Sequence, residues 1–468
     1  MLASERTFYP VYKELLGDLE TPVSLYLKLN QKESFLLESV TGGESVARFS
    51  FIGFNPFCTF RSENNKTIIT LDGVTHETAN DPLTELQKLT KLFKIQKNSN
   101  LPDFLGGAIG FFSWETIFYL EKIKKINKDA APFPLAHFLF PRSAIIFDHV
   151  KRKVILMTLA DKKNDPVASA YLNELEQFLS EPLKKQNLSL TAQKHDFSFA
   201  DIKSNYQKGD FLLDVEKVKK YIHEGDIFQL VLSQRFSHES EQDPFDVYRK
   251  LRFINPSPYM FFFNAGDYQL IGTSPEILVR SSNRVAELRP IAGTRLRPSD
   301  PTYEQEVIND LLQDEKEKAE HIMLVDLARN DLGRVCQDVT TDTLMEVEKY
   351  SHVMHMVSNV TGILKKGMTS FDLFKASFPA GTVSGAPKIR AMEIIEELEP
   401  SERGPYAGAL GYFDFEDNLN FCIIIRSVFA KNNKFFMQAG AGIVADSRPE
   451  KEYQETQNKA LGILQSLF

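Results

Sequence analysis

The chain is 468 residues long, 43% hydrophobic and 25% charged, with 55 Lys and Arg against 63 Asp and Glu for a formal net charge of −8. With 24 Gly and 22 Pro spread thinly, those proportions exclude disordered, collagenous and low-complexity classes. At roughly 100–200 residues per domain they leave room for two to four domains or one large α/β unit. A mildly acidic chain is a poor sequence-independent ligand for nucleic-acid backbones or anionic lipid, though a local basic pocket for a small anion stays open.

Taken in chain order, the start (Met1-Leu2-Ala3-Ser4-Glu5-Arg6, then Glu14, Asp18 and Glu20) has no apolar block of signal-peptide type. Short strand-like pieces follow at 34–37, 49–54, 67–71 and 144–147. The longest apolar run, 104–114, carries three glycines and falls short of the roughly 18 residues a bilayer span needs. A cytoplasmic protein without membrane or nucleic-acid partners is expected. Residues 121–134 read as a charged loop closed by two prolines, and 181–210 as a polar, weakly periodic connector. A boundary is placed in the second, giving units of 1–200 and 201–468.

Beyond it, strands alternate with long amphipathic helices predicted at 211–224, 302–329, 387–399 and 449–467. Strands are predicted at 259–263, 407–415, 422–428 and 435–439. The short turns Asp417-Asn418 and Lys431-Asn432-Asn433 point to antiparallel hairpins. The fold class read from this pattern is α+β: a large layered antiparallel β-sheet sandwich with helices on the outside. Three cysteines, Cys58, Cys336 and Cys422, lie far apart with no CxxC pair, which suits a reducing compartment and neither a disulfide framework nor structural zinc.

Glu317 and Glu320 are three apart on the predicted 302–329 helix, and Glu452 and Glu455 repeat the spacing on the last helix. Asp446-Ser447 and Pro449 read as the start of that last helix. If the two faces oppose, four carboxylates converge on one hard cation, Mg²⁺; Glu at i,i+3 is also ordinary on exposed helices. The run from Ala380 to Lys388, with Gly381, Thr382 and Gly385, opens a helix whose N–H groups would receive a carboxylate or phosphate. It lacks the spacing of a Walker loop. Gly440, Ala441 and Gly442 form another bare-backbone stretch. Either loop is equally a tight turn. Gln229, Glu276, His355 and Arg426 stand as polar residues in apolar strands. Arg426, in a strand expected to be buried, needs a counter-anion, from a ligand or a structural Glu. No GxSxG elbow, HExxH pair or basic-aromatic stripe occurs, and no cysteine sits in a Gly-rich nucleophile turn, so glutamine hydrolysis by a thiolate is excluded.

Together these segments resemble the chorismate-utilising enzyme family over nearly the whole chain. The resemblance is carried by residues 320–331, 379–388, 403–408 (Arg-Gly-Pro-Tyr-Ala-Gly), 438–444 and 449–460. It implies Mg²⁺ held by Glu320 and Glu455 with Glu317 and Glu452 in support. It implies catalytic roles for Glu276 (general acid), His355 (pyruvate elimination), Gln229 and Thr294. Carboxylate-binding positions are implied at Thr382, Tyr406, Arg426, Gly440, Ala441, Gly442 and Lys459. Two positions select among family activities. Members that activate water carry Lys where Gln229 stands. Members that make 4-amino-4-deoxychorismate carry a nucleophilic Lys where Ala292 stands. The implied reaction is therefore amination of chorismate at C2 with loss of pyruvate, giving anthranilate, the first committed step of tryptophan biosynthesis. The alternatives are the folate-branch aminodeoxychorismate activity and a catalytically silent, tryptophan-sensing homologue. The resemblance further implies a partner glutamine amidotransferase subunit, a heterotetrameric assembly, and feedback inhibition by tryptophan at Glu38, Ser39, Asn255, Pro258, Tyr259 and Met260. On this reading 1–200 is a regulatory and partner-binding lobe and 201–468 the catalytic lobe. Residues 111–114 (Phe-Phe-Ser-Trp) depart from the family's Tyr-rich pattern and carry no expected function.

Overall fold

The computed structural model describes residues 5–39, 48–63, 65–126, 128–183, 188, 202–298, 300–349 and 353–467. Residues 1–4 and most of the 181–210 connector, with the boundary at 200, lie outside them. Two long strands, Phe49–Glu63 and Ala136–Asp148, pair from Phe49↔Asp148 to Ser62↔Ala136 and belong to two layers at once. One end of the pair continues through Ser34–Glu38, Tyr259–Asn264, Gln269–Ser274, Ser427–Lys431, Lys434–Ile443 and Gln229–Glu239. The other continues through Gly107–Phe112, Ala409–Asp414, Leu419–Ile423, Ile277–Ser282, Val285–Leu288 and Val353–Leu364. Among the described strands only Arg6–Leu16 with Phe93–Ile95 pairs in parallel. Strands on both sides of residue 200 share these sheets.

The layers meet through one apolar core, in which Phe111 of one packs edge-on against Phe263 and Tyr268 of the other, centroids 5.9 and 6.3 Å apart. A second core lies on the outer face of the first layer under Pro22–Leu29, Pro166–Ser180, Pro244–Ile254 and Pro449–Leu464. All four helices open on proline, whose missing N–H costs nothing there. Thr21, Asp165 and Asp243 cap three of them. No described helix is long and apolar enough to cross a membrane.

Three sequence expectations are corrected. The 302–329 helix is two, Glu304–Gln313 and Glu315–Val335, because Asp314 turns its carboxylate onto the N–H groups of Lys316 and Glu317 and starts a new helix. The last helix begins at Pro449 after Arg448, and the Ser447 hydroxyl accepts from Val444 N–H rather than capping it. The 422–428 strand is broken: Leu419–Ile423 ends in one layer and Ser427–Lys431 begins in the other. The neighbouring chain crosses at the same place, from Gln269–Ser274 to Ile277–Ser282 through Pro275 and Glu276. Proline cannot donate to a ladder and favours such an exit. The two crossings are tied to each other: Thr273 N–H donates to Arg426 O at 3.2 Å, and Ile423 N–H to Glu276 O at 3.0 Å.

Candidate active site

The twin crossing sets Glu276 and Arg426 side by side where the layers part. Glu276 is half-buried and accepts from the Thr382 hydroxyl at 2.8 Å. Burial pushes its carboxyl up to about 7, against the opposing pull of the Thr382 bond and the Arg426 charge. Arg426 is exposed, not buried in a strand as expected, and its Nη1 donates to Asn255 Oδ1 at 3.4 Å. It adopts φ +50°, a left-handed conformation that non-glycine residues adopt at a cost and that recurs at functional sites. His355 donates from Nδ1 to Gly293 O at 3.2 Å, so its neutral ring carries the lone pair on Nε2. Burial, reinforced by Arg426, holds its pKa below the ordinary histidine value. Thr294 lies opposite His355 in the ladder. A carboxylic acid near neutrality thus sits beside a guanidinium, with a neutral imidazole within electrostatic reach of that guanidinium. That set can protonate a leaving group, take up a proton and hold an anion.

A second wall is backbone. Gly440, Ala441 and Gly442 lie within Lys434–Ile443, opposite Ser233, Leu232 and Val231. A Cβ on Gly440 would come 2.7 Å from Val231 Cγ1 and 2.9 Å from the Tyr406 hydroxyl, so glycine lets these groups approach, and one on Gly442 would come 2.8 Å from Gln229 Nε2, the end of a side chain that can shift. Tyr406 is buried with its hydroxyl close to Gly440, and burial raises its pKa to about 12. Lys459 donates to Gly440 O at 3.0 Å and pairs with Glu455 at 2.7 Å. The 380–388 run departs from expectation. Gly381–Val383 is a 3₁₀ turn in which Val383 and Ser384 N–H are bonded to Ala380 and Gly381 carbonyls, and the helix starts only at Lys388. Its contribution to the site is the Thr382 side chain.

Of the four glutamates, Glu317 accepts from Arg295 at 3.1 Å, Glu320 has Lys316 at 4.0 Å and Glu455 has Lys459. Among the described residues no three His, Cys, Asp or Glu side chains converge on one metal position. The set therefore stands as two local pairs, each balanced by nearby cations. Its chemistry still suits a hard cation. Burial raises the carboxyls of Glu320 and Glu452, and the negative charge of Glu317 and Glu455 respectively raises them further, a strain that a bound divalent ion relieves.

Five of the six residues expected to form an inhibitor site, Glu38, Ser39, Pro258, Tyr259 and Met260, line a single cavity of about 190 Å³ between the layers. The register Met260↔Glu38 explains their meeting. Asn255 does not line it. It donates to Thr273 Oγ1 at 3.1 Å and accepts from Arg426, between the cavity and the acid–base set. Sequence reasoning missed Arg280, Tyr412 and Asn420 on the same cavity wall; the ladder pairs Arg280 and Tyr412 each with Asn420, a juxtaposition without local sequence signature. All three cysteines are buried, and burial pushes every thiol above its ordinary value, which leaves no thiolate nucleophile at neutral pH.

The chorismate binding enzyme family model matches residues 32–465. The anthranilate synthase component 1 of Acetivibrio thermocellus is 44% identical over 100% of this chain and 97% of its own length. That of Aquifex aeolicus is 41% identical over 100% and 96%. The solved anthranilate synthase component I of Streptococcus pneumoniae superposes with a TM-score of 0.80 at 39% identity, covering 96% of this chain and 98% of that one. MenF, the menaquinone-specific isochorismate synthase of Escherichia coli, shares the fold with a TM-score of 0.72 at 20% identity, over 100% and 96%.

Proposed function

The chain belongs to the chorismate-binding enzyme family, and on that premise we propose that it is the large component of an anthranilate synthase, converting chorismate and ammonia to anthranilate, pyruvate and water. The observation that carries this reading is the meeting of Glu276, Thr382 and Arg426 at the twin crossing, with His355 within electrostatic reach of Arg426. It is supported by relatives of matching length that bear that name.

Arg426, Tyr406, Lys459 and the Gly440–Gly442 backbone bind the two carboxylates of chorismate, so that the ring lies with C4 toward Glu276. Glu276, protonated near neutrality, gives its proton to the departing C4 hydroxyl as ammonia forms the C2–N bond and the ring double bonds shift. His355 Nε2 then takes the C2 proton, the enolpyruvyl ether bond breaks, and the released enol takes a proton to become pyruvate. Aromatisation of the ring drives this elimination. Gln229, against Gly442, is uncharged and does not generate hydroxide, which favours ammonia over water. Glu320 and Glu455, with Glu317 and Glu452, would hold Mg²⁺, which supplies positive charge to the ring carboxylate when bound.

The ammonia comes from a separate glutamine amidotransferase subunit, a division of labour that the three inert thiols support. The 190 Å³ cavity takes tryptophan as a feedback inhibitor, its indole between the layers. Residues 1–200 contribute Leu37, Glu38, Ser39, Phe49 and Phe51 to that cavity wall, and the remainder of the chain supplies the rest of the wall and the chemistry. Purified chain incubated with chorismate, ammonium and Mg²⁺ yields a blue-fluorescent product identified by mass as anthranilate, and chelation of the metal stops it. A 4-amino-4-deoxychorismate product would refute the assignment and the weight placed on Ala292.

A further inference from the structure

Arg403 has no part in the chemistry above, yet it is 2% exposed and more elaborately bonded than any residue that does. Its Nε and Nη2 donate to the two carboxylate oxygens of Glu399 at 2.9 and 2.7 Å. Nη1 donates to Val383 O and Nη2 to Val231 O, both at 2.7 Å. The guanidinium lies over the Trp114 ring at 4.2 Å and near the Tyr406 ring at 5.6 Å. Glu399 in turn accepts from Ser233 N–H and its hydroxyl, both at 2.8 Å. Burying an ion pair costs several kcal/mol of desolvation, and apolar residues of equal volume often serve stability as well or better. What they cannot do is hold two carbonyls, a carboxylate and two rings in one plane-defined arrangement; the rigid fork of arginine can.

Three of the groups that Arg403 touches, Val383, Val231 and Tyr406, adjoin or belong to the carboxylate-binding wall. Val383 follows Thr382, Val231 lies opposite Gly442, and Tyr406 meets Gly440. The ring beneath comes from the first two hundred residues. The backbone N–H of Trp114 donates to Gly404 O at 2.8 Å, and the Glu115 carboxylate accepts from Gly404 N–H at 3.1 Å. We infer that Arg403, seated on Trp114, is a positioning residue that sets the spacing of Thr382, Tyr406 and the Gly440–Gly442 strand, and so governs chorismate affinity without touching it. The inference rests on the reading of that wall as the chorismate site.

The test is Arg403→Lys, which keeps the charge but has a single nitrogen that cannot span Glu399 and both carbonyls. Expected is a rise of about tenfold or more in KM for chorismate, with KM for ammonium unchanged within about twofold, since sub-ångström misplacement of binding groups is felt by the substrate they orient. Trp114 is the only tryptophan of the chain, so a changed emission maximum reports the disturbed stack directly. Tyr268→Phe is the stability control, because it removes a buried 2.6 Å bond to His137 in the core between the layers and should lower Tm with KM unchanged. If Arg403→Lys lowers Tm but leaves KM for chorismate within about twofold of the wild type, Arg403 is merely structural and the inference falls. Should Arg403→Lys not fold, Trp114→Phe decides: a rise in KM of about threefold or more supports positioning, and an unchanged KM overturns it. A wild-type chain that binds and turns over no chorismate overturns the functional reading itself, and this inference with it.

Discussion

Thr382→Val changes one atom of consequence. The valine side chain matches threonine in shape and removes the hydroxyl that donates to Glu276 Oε1 at 2.8 Å. That bond favours the ionised carboxylate, and burial opposes it, with a balance near 7. A hydrogen bond to a charged group contributes about 1.5–3 kcal/mol, less where water can replace it. Glu276 is half-buried, so about 1.4 kcal/mol is a fair measure, or about one pH unit. Losing the bond raises the pKa, and a general acid is active while protonated. The rate is therefore highest below the pKa and falls as pH rises through it. The expected result is a descending limb that moves from about 7 in the wild type to about 8 in Thr382→Val. The assay is initial anthranilate fluorescence between pH 5.5 and 9.5, with each rate divided by the concentration of free NH₃ so that titration of ammonium does not mask the limb. A limb that stays in place, or moves down, would refute Glu276 as the acid under the control of Thr382.

Gly440→Ala places a Cβ 2.7 Å from Val231 Cγ1 and 2.9 Å from the Tyr406 hydroxyl; it should raise KM for chorismate by about tenfold or more, measured against circular dichroism that shows the fold retained. Leu37 lines the 190 Å³ cavity, and Leu37→Phe, which fills part of it, should weaken tryptophan binding about tenfold or more in calorimetric titration while turnover without tryptophan persists. Glu115 is buried, and its carboxyl is raised from 4.5 to about 7 by burial and by Glu402. A carboxyl raised on folding loses stability for the native state as pH climbs from the unfolded to the folded pKa. Glu115→Gln, which keeps the acceptor for Gly404 N–H, should therefore gain Tm over the wild type progressively between pH 4.5 and 7, and show no gain at pH 4.

Much of the secondary structure was legible from sequence because its signals are local. A Pro after a cap starts a helix wherever it stands, and two glutamates three apart share a face on any helix. The turns at 417–418 and 431–433 announce hairpins by composition alone, and the structure has them as expected. The sequence misled where one residue changed the meaning of a run. Asp314 divided a continuous periodic pattern into two helices, and residues 424–426, apolar enough to read as strand, became the passage between layers.

Arg426 shows the difference most clearly. Its charge after an isoleucine run called for a counter-anion, from a ligand or a structural Glu, without tertiary information, but the inferred burial was wrong, because exposure depends on which layer the chain is leaving. Trp114 shows the opposite case. It stood out as a departure without meaning until the fold laid it under a guanidinium nearly three hundred positions away. By itself, the sequence determined the antiparallel layering and the two glutamate pairs, since residue type and short-range periodicity carry those, while the reaction family was legible from the resemblance of whole segments to the chorismate-utilising enzymes. Only the tertiary structure decided that Glu276 and Arg426 sit together, that five of the six residues expected at an inhibitor site line one cavity with Asn255 outside it, and that Arg403 joins Glu399, Val383 and Val231. Each of these is a meeting of strands distant in the chain. Their register and crossing points are set by the packing of the whole core, and no local pattern records them.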